Sequence, residues 1–212
     1  MDEEIAIIDR SARKERLKIF FTENKKKLIS IIVLIILIIF AYLIYGDFKK
    51  KKQIELANRY NLATIEFISG NKIKSENELI DIVNYKDKTY SPLALYFLID
   101  NNIINDIKKI NNFFDIVISN KNLEKEIKNL IIYKKALFNS EFESENNLIL
   151  ILKPIINSDS IWKSHALYLM AEYFYSKNEK QKSKEFFNEI MELKNSNLKI
   201  KTETQKRLNR DF

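Results

Sequence analysis

The chain has 212 residues, a formal net charge of +7, one histidine, no cysteine, and two residues each of glycine and proline. The missing cysteine excludes disulfides and thiolate metal or redox sites, and two glycines cannot build a Gly-rich phosphate loop. So little Gly and Pro argues against turn-rich β structure and for long helices.

Residues 2–24, DEEIAIIDRSARKERLKIFFTEN, read as a short charged helix, with Asp2 as cap and Glu3 and Glu4 at its positive end. Ile5, Ile8, Ala12 and Ile19 fall roughly on one stripe. That stripe suits a helix resting on a membrane surface, and equally a solvated cytoplasmic tail.

Residues 28–45 carry no charge, and Ser30 is the only strongly polar side chain among them. As a helix this run is roughly 27 Å long, against about 30 Å for a bilayer hydrocarbon core. A core helix of that length has a polar face, and this one has none. Ser30 at one end, and Tyr42 and Tyr45 at the other, suit the two interfaces. A cleaved signal peptide has a shorter apolar region and a small-x-small site; here YLIYGDFKKKK follows. The reading is therefore an uncleaved anchor over 28–46, behind a charged cytoplasmic segment over 1–27. A basic linker over 47–53 and a helical domain over 54–212 follow.

Eight Lys or Arg lie in 8–27 and five in 47–66, a modest bias that keeps the N-terminus cytoplasmic. Four of the basic residues beyond the run are Lys49, Lys50, Lys51 and Lys52, placed to meet anionic headgroups. The remaining charge is close to balanced, so nucleic-acid binding is not expected.

Beyond Ile54 the pattern is helix, short turn, helix. Leu56, Tyr60, Ala63 and Phe67 share one helical face, and Gly70-Asn71 ends that helix as a left-handed cap. IKSENELIDIV forms a second helix. Pro92 opens the next one, within LALYFLIDN, and INDIKKINNFFDIVI completes a second pair. NLEKEIKNLIIYKKALF and SENNLILILKPIIN form a third, with Pro154 kinking or splitting the latter. IWKSHALYLMAEYFYSKN and KQKSKEFFNEIMELK form a fourth, and LKIKTETQKRLNRDF adds a final helix.

About four hairpins of this size mark a helical repeat. Ala63, Gly70, Ser75, Leu79 and Ile82 have the same four spacings as Ala171, Asn178, Ser183, Phe187 and Ile190. Small residues let paired helices approach, Gly or Asn takes the turn, and large residues fill the groove to the next hairpin. The second pair fits less well, through Ala94, Phe97, Asn101, Ile110 and Phe113, and the third is degenerate.

These spacings resemble a diverged tetratricopeptide repeat, and the whole layout resembles the YfgM-like family of bacterial membrane-anchored proteins. The likeness rests on DEEIAIIDRSARKERLKIFFTENKKKLI, on the apolar run, and on the closing stretch from Ile161 to Leu208 with Ala166, Ala171, Phe187 and Arg207. It is weak between Asp87 and Asp159. It implies an all-α fold: one N-terminal transmembrane helix, then a tetratricopeptide-repeat-like α-solenoid of about four hairpins. It implies a single-pass protein of the bacterial inner membrane with its repeat domain in the periplasm. The implied role is accessory to the SecYEG translocon or to periplasmic chaperoning of exported proteins, with SecYEG and a membrane-anchored periplasmic prolyl isomerase as partners. Several small repeat positions are Asp or Ile here, and the closing turn lacks Gly; these departures bear on the partner surface more than on the fold. A repeat scaffold for another cell-envelope complex, or a cytoplasm-facing adaptor, has the same sequence features.

No enzyme is expected. His165 stands alone, without HExxH or paired ligand spacing. Glu141 and Glu143, like Glu124 and Glu126, sit in mixed-charge stretches and read as solvated faces. No catalytic, metal or cofactor-binding residue is assigned, no cofactor and no small-molecule substrate. Among the aromatics, Tyr60, Phe67, Tyr96, Phe97, Phe113, Phe114, Tyr168, Tyr173, Phe174 and Tyr175 divide between core and a partner-gripping surface. Trp162 is either an interface anchor or packing between the third and fourth pairs. Which residues bind is left open.

Overall fold

A computed structural model of the chain describes residues 15, 16, 18–20 and 22–212, apart from the side chains of Leu28, Ile31 and Ile32. Most of the predicted helix over 2–24, including Ile5, Ile8 and Ala12, lies outside the described residues. The chain divides into two compact units, Met1–Glu55 and Leu56–Phe212. It is all-α, with no strand among the described residues.

The first long helix, α1 (Lys25–Ile68), is continuous, so 47–53, read as a linker, is helical. Every large apolar side chain of 33–40 and 42–45 is exposed. Among the described residues no helix is long and apolar enough to cross a membrane. The longest uninterrupted uncharged stretch of α1 with described side chains, 33–46, falls short of the ~20 residues a bilayer needs. The anchor expected over 28–46 is thus not shown by the structure.

In the second unit follow α2 (Lys72–Asn84), α3 (Tyr90–Asp100), α4 (Ile107–Ile118), α5 (Lys125–Asn139), α6 (Glu145–Ile156), α7 (Lys163–Ser176), α8 (Lys180–Glu192) and α9 (Leu198–Asp211). The end of α1 pairs with α2 through Lys74 and Glu66 at 2.5 Å and through an ion pair of Arg59 with Glu78. From α2 onward, extensive contacts join helices one or two places apart in the chain. The core follows the same order. One cluster spans Ala63 to Ile131, a second Ile132 to Phe174, and a third joins Leu167, Ala171, Phe187 and Ile190.

Three turns share one geometry. Gly70, Asn102 and Asn178 take φ of 92, 49 and 64°. Behind each, two N–H groups reach back to carbonyls of the helix just ended: Asn71 to Glu66 and Gly70 to Phe67, Ile103 to Leu98 and Asn102 to Ile99, Glu179 to Phe174 and Asn178 to Tyr175. This is the cap that satisfies the last helical carbonyls. The second pair is therefore shifted from its predicted register: Asn102, not Asn101, takes the left-handed position. Its turn is longer, and Asp106 closes it by accepting from the N–H groups of Lys108 and Lys109 at 2.8 and 3.1 Å.

The second helix of every pair buries three residues at steps of four and three: Ser75, Leu79 and Ile82; Ile110, Phe114 and Val117; Leu148, Leu152 and Ile155; Ser183, Phe187 and Ile190. The third pair keeps this triad. Its turn has no left-handed residue; Glu143 and Phe142 donate to the Asn139 carbonyl, and Ser144 caps α6. Pro154 does not split α6, which runs through it to Ile156; in the last turn the lost N–H ends little helix. Pro92 is the third residue of α3 rather than the first, still within the turn whose N–H groups have no intrahelical partner.

Candidate protein-interaction face

The odd-numbered helices of the second unit share the buried core and are also joined by a series of half-buried side chains. Between α1 and α3, the rings of Tyr60 and Phe67 meet Phe97 edge-on at 6.3 and 5.5 Å. Between α3 and α5, the Lys134 ammonium lies 4.4 Å from the centre of the Tyr96 ring. Between α5 and α7, Tyr133 stacks on Trp162 at 6.0 Å, with His165 5.0 Å from the Trp162 ring. Between α7 and α9, Arg207 grips Glu172 and lies 4.4 Å over Tyr175. Such ring and cation contacts add about 0.5–1.5 kcal/mol each beyond the area they bury.

Burial acts on the titratable members of this ladder. It raises the phenols of Tyr96 and Tyr133, with Asp100 adding to the effect at Tyr96. Tyr168 is pushed up to about 12, first by burial and then by the Glu172 charge. These phenols therefore stay neutral at ordinary pH, and the Tyr96 hydroxyl is buried without a hydrogen-bond partner. Burial lowers His165, which stays neutral more readily than a free imidazole; its Nδ1 is buried without a hydrogen-bond partner.

Leu93, Ile127 and Ile161 recur at intervals of 34 along the sequence, and all three are exposed. They mark the starts of α3, α5 and α7. Leu93 and Ile127 line a groove of about 330 Å³ with Lys88, Thr89, Pro92, Leu123 and Glu124. One Glu126 oxygen accepts from the Ser160 hydroxyl at 2.7 Å and from the Ile161 N–H at 3.2 Å, holding the start of α7 against that of α5. The result is an exposed aliphatic residue at the same place, the start of the first helix, in the second, third and fourth hairpins. Sequence reasoning missed this row; the recurrence at 34 was its available signal.

The other sequence candidates separate clearly. Phe113, Phe114, Tyr173 and Phe174 are buried core. Trp162 packs between the third and fourth pairs. Glu143 accepts from the Asn147 amide at 2.8 Å and Glu126 serves the turn before α7, so in each pair one carboxylate is engaged in local structure, while Glu124 stands at the N-cap of α5 without a side-chain cap bond. Among the described residues, no group of three or more His, Cys, Asp or Glu is placed to hold a metal ion.

No protein-family model, curated protein or solved structure matches the chain. The likeness to YfgM-like proteins rests on the sequence pattern alone.

Proposed function

We propose that this chain is a membrane-anchored protein-interaction module whose second unit is a tetratricopeptide-repeat-like α-solenoid. The anchor is the apolar run of 28–46. The observation that supports it most is α1 itself, whose large apolar side chains over 33–40 and 42–45 are all exposed around the whole helix. Water disfavours that surface by roughly 25 cal/mol per Å², and a lipid surround removes the penalty. Support for the solenoid comes from the order of contacts, the recurring turns and the four buried triads, since repeat stacks contact only their neighbours.

In this reading the N-terminus is cytoplasmic and the solenoid periplasmic, at the bacterial inner membrane. The ladder from Tyr96 to Arg207 and the row Leu93, Ile127 and Ile161 offer surface to proteins. The anchor raises the effective concentration of solenoid and partner, so a weak grip suffices. By resemblance to YfgM-like proteins the partners are the SecYEG translocon and a membrane-anchored periplasmic prolyl isomerase. No step needs a catalytic residue.

Purification of the tagged chain from its own membranes in mild detergent, with co-purifying proteins identified by mass spectrometry, tests the assignment. Translocon subunits in near-equal amounts support the accessory role. A different envelope complex in their place leaves the interaction module standing and overturns the translocon assignment.

A further inference from the structure

The two ends of the helical stack are unlike. At its C-terminal end α9 covers the fourth pair, and all its exposed residues but Leu198 are polar: Lys199, Thr202, Gln205, Lys206, Asn209 and Arg210. That is the polar cap a repeat stack needs. At the other end, α1 has no such cap among the described residues. Leu62 and Ile65 are 60% and 56% exposed, and Ile68 and Ile73 near the turn are 81% and 79% exposed.

Aligning the pairs on their left-handed turn residues shows what this face is. With Asn178 set on Gly70, Met170 and Tyr173 fall on Leu62 and Ile65. Met170 and Tyr173 belong to the core shared with the third pair. With Asn102 set on Gly70, Ala94 and Phe97 fall on the same two positions, and Phe97 packs on Tyr60 and Phe67 of α1, the first helix of the preceding pair. Leu62 and Ile65 thus stand where the first helices of the second and fourth pairs dock on the pair before them. The face is continuous in kind with the established hairpin interface, and among the described residues it is exposed.

We propose that a second copy of this chain covers it, with α1 packed parallel on α1 along Asn58, Leu62, Ile65 and Ser69. These four recur at steps of four, three and four, the spacing of a two-helix seam. None is charged. Beside Leu62 and Ile65 the charges pair within the chain, Arg59 with Glu78 and Glu66 with Lys74, so this part of the seam meets its own copy without like-charge conflict. The polar α9 face offers no apolar patch for head-to-tail stacking, which leaves the closed two-fold arrangement. The parallel sense rests on the anchoring reading: two copies held by one membrane run the same way, at high effective concentration.

The chain has no cysteine, so single substitutions report cleanly. Leu62→Cys, Ile65→Cys and, on the far face, Gln205→Cys are introduced into the full chain, oxidised in native membranes and read by non-reducing electrophoresis. Expected is a dimer-sized product at positions 62 and 65 at least tenfold above that at 205, and a tenfold loss of it when Ile65→Asp is added to Leu62→Cys. No product at 62 or 65, equal product at 205, or a product with a different protein overturns the second copy. The same samples are fractionated first. Chain in the soluble fraction overturns the anchoring and the parallel sense, and the bands then judge the second copy alone.

Discussion

Arg207 on α9 donates to both oxygens of Glu172 on α7, from Nε to Oε1 at 2.8 Å and from Nη2 to Oε2 at 3.0 Å. Only 11% of the Arg207 side chain is exposed; it also pairs with Asp211 and lies over Tyr175. One planar group thus fastens the last helix. Arg207→Ala removes the fork and the stacking together and is expected to cost about 1.5–3 kcal/mol. Arg207→Lys recovers little, because an ammonium has neither the fork nor the plane. Urea unfolding at unchanged slope measures both, and a lysine variant as stable as the parent sinks this account of the contact.

The buried triads predict a contrast within α6. Leu152 is fully buried and Leu150 is exposed. Leu152→Ala is expected to cost about 2–5 kcal/mol, while Leu150→Ala stays within about 0.5 kcal/mol. Thermal unfolding separates them; equal losses contradict the assigned register.

Gly70 and Asn178 hold the same left-handed position, and an added Cβ at Gly70 meets nothing within 4 Å. The cost of Gly70→Ala is therefore backbone strain alone, about 1–2 kcal/mol. Asn178→Gly is expected to be near neutral. If Gly70→Ala is as stable as the parent, the left-handed cap is not what closes the first turn.

His165 predicts a pH dependence. Its folded pKa lies below the free value of 6.5 because burial disfavours the charged ring. Below 6.5 the unfolded chain binds a proton that the folded chain resists, so stability falls as pH drops through that value. The His165→Asn variant loses this contribution, and its stability difference from the parent changes with pH between 7 and 5. A difference constant over that window contradicts the burial of His165.

The helices and the pairing of the first and last hairpins were legible because their signals are local: apolar residues on one face, and Gly or Asn at the turn. The seven-residue spacing from Ala94 points to Asn101, the left-handed φ falls on Asn102, and adjacent asparagines give identical local chemistry. The third pair looked degenerate because its turn uses the Asn139 carbonyl and a Ser144 cap in place of a left-handed residue, while its triad survived in Leu148, Leu152 and Ile155. The ladder from Tyr96 to Arg207 was legible only at Trp162, one of whose two readings was packing between the third and fourth pairs. Its partners lie far apart in sequence, as Tyr133 and Trp162 do, and nothing local distinguishes a half-buried ring from a buried one. Leu93, Ile127 and Ile161 escaped notice because a single exposed aliphatic residue is ordinary; only their shared interval sets them apart.

The central claim is that the run of 28–46 holds the helical domain to a membrane, with that domain on the outer side. Alkaline carbonate extraction of the full chain, combined with protease added to intact spheroplasts, tests it most directly. The account predicts that the chain stays in the membrane pellet and that external protease digests 54–212. Release into the carbonate supernatant contradicts the anchor, and a retained but protected domain contradicts the topology.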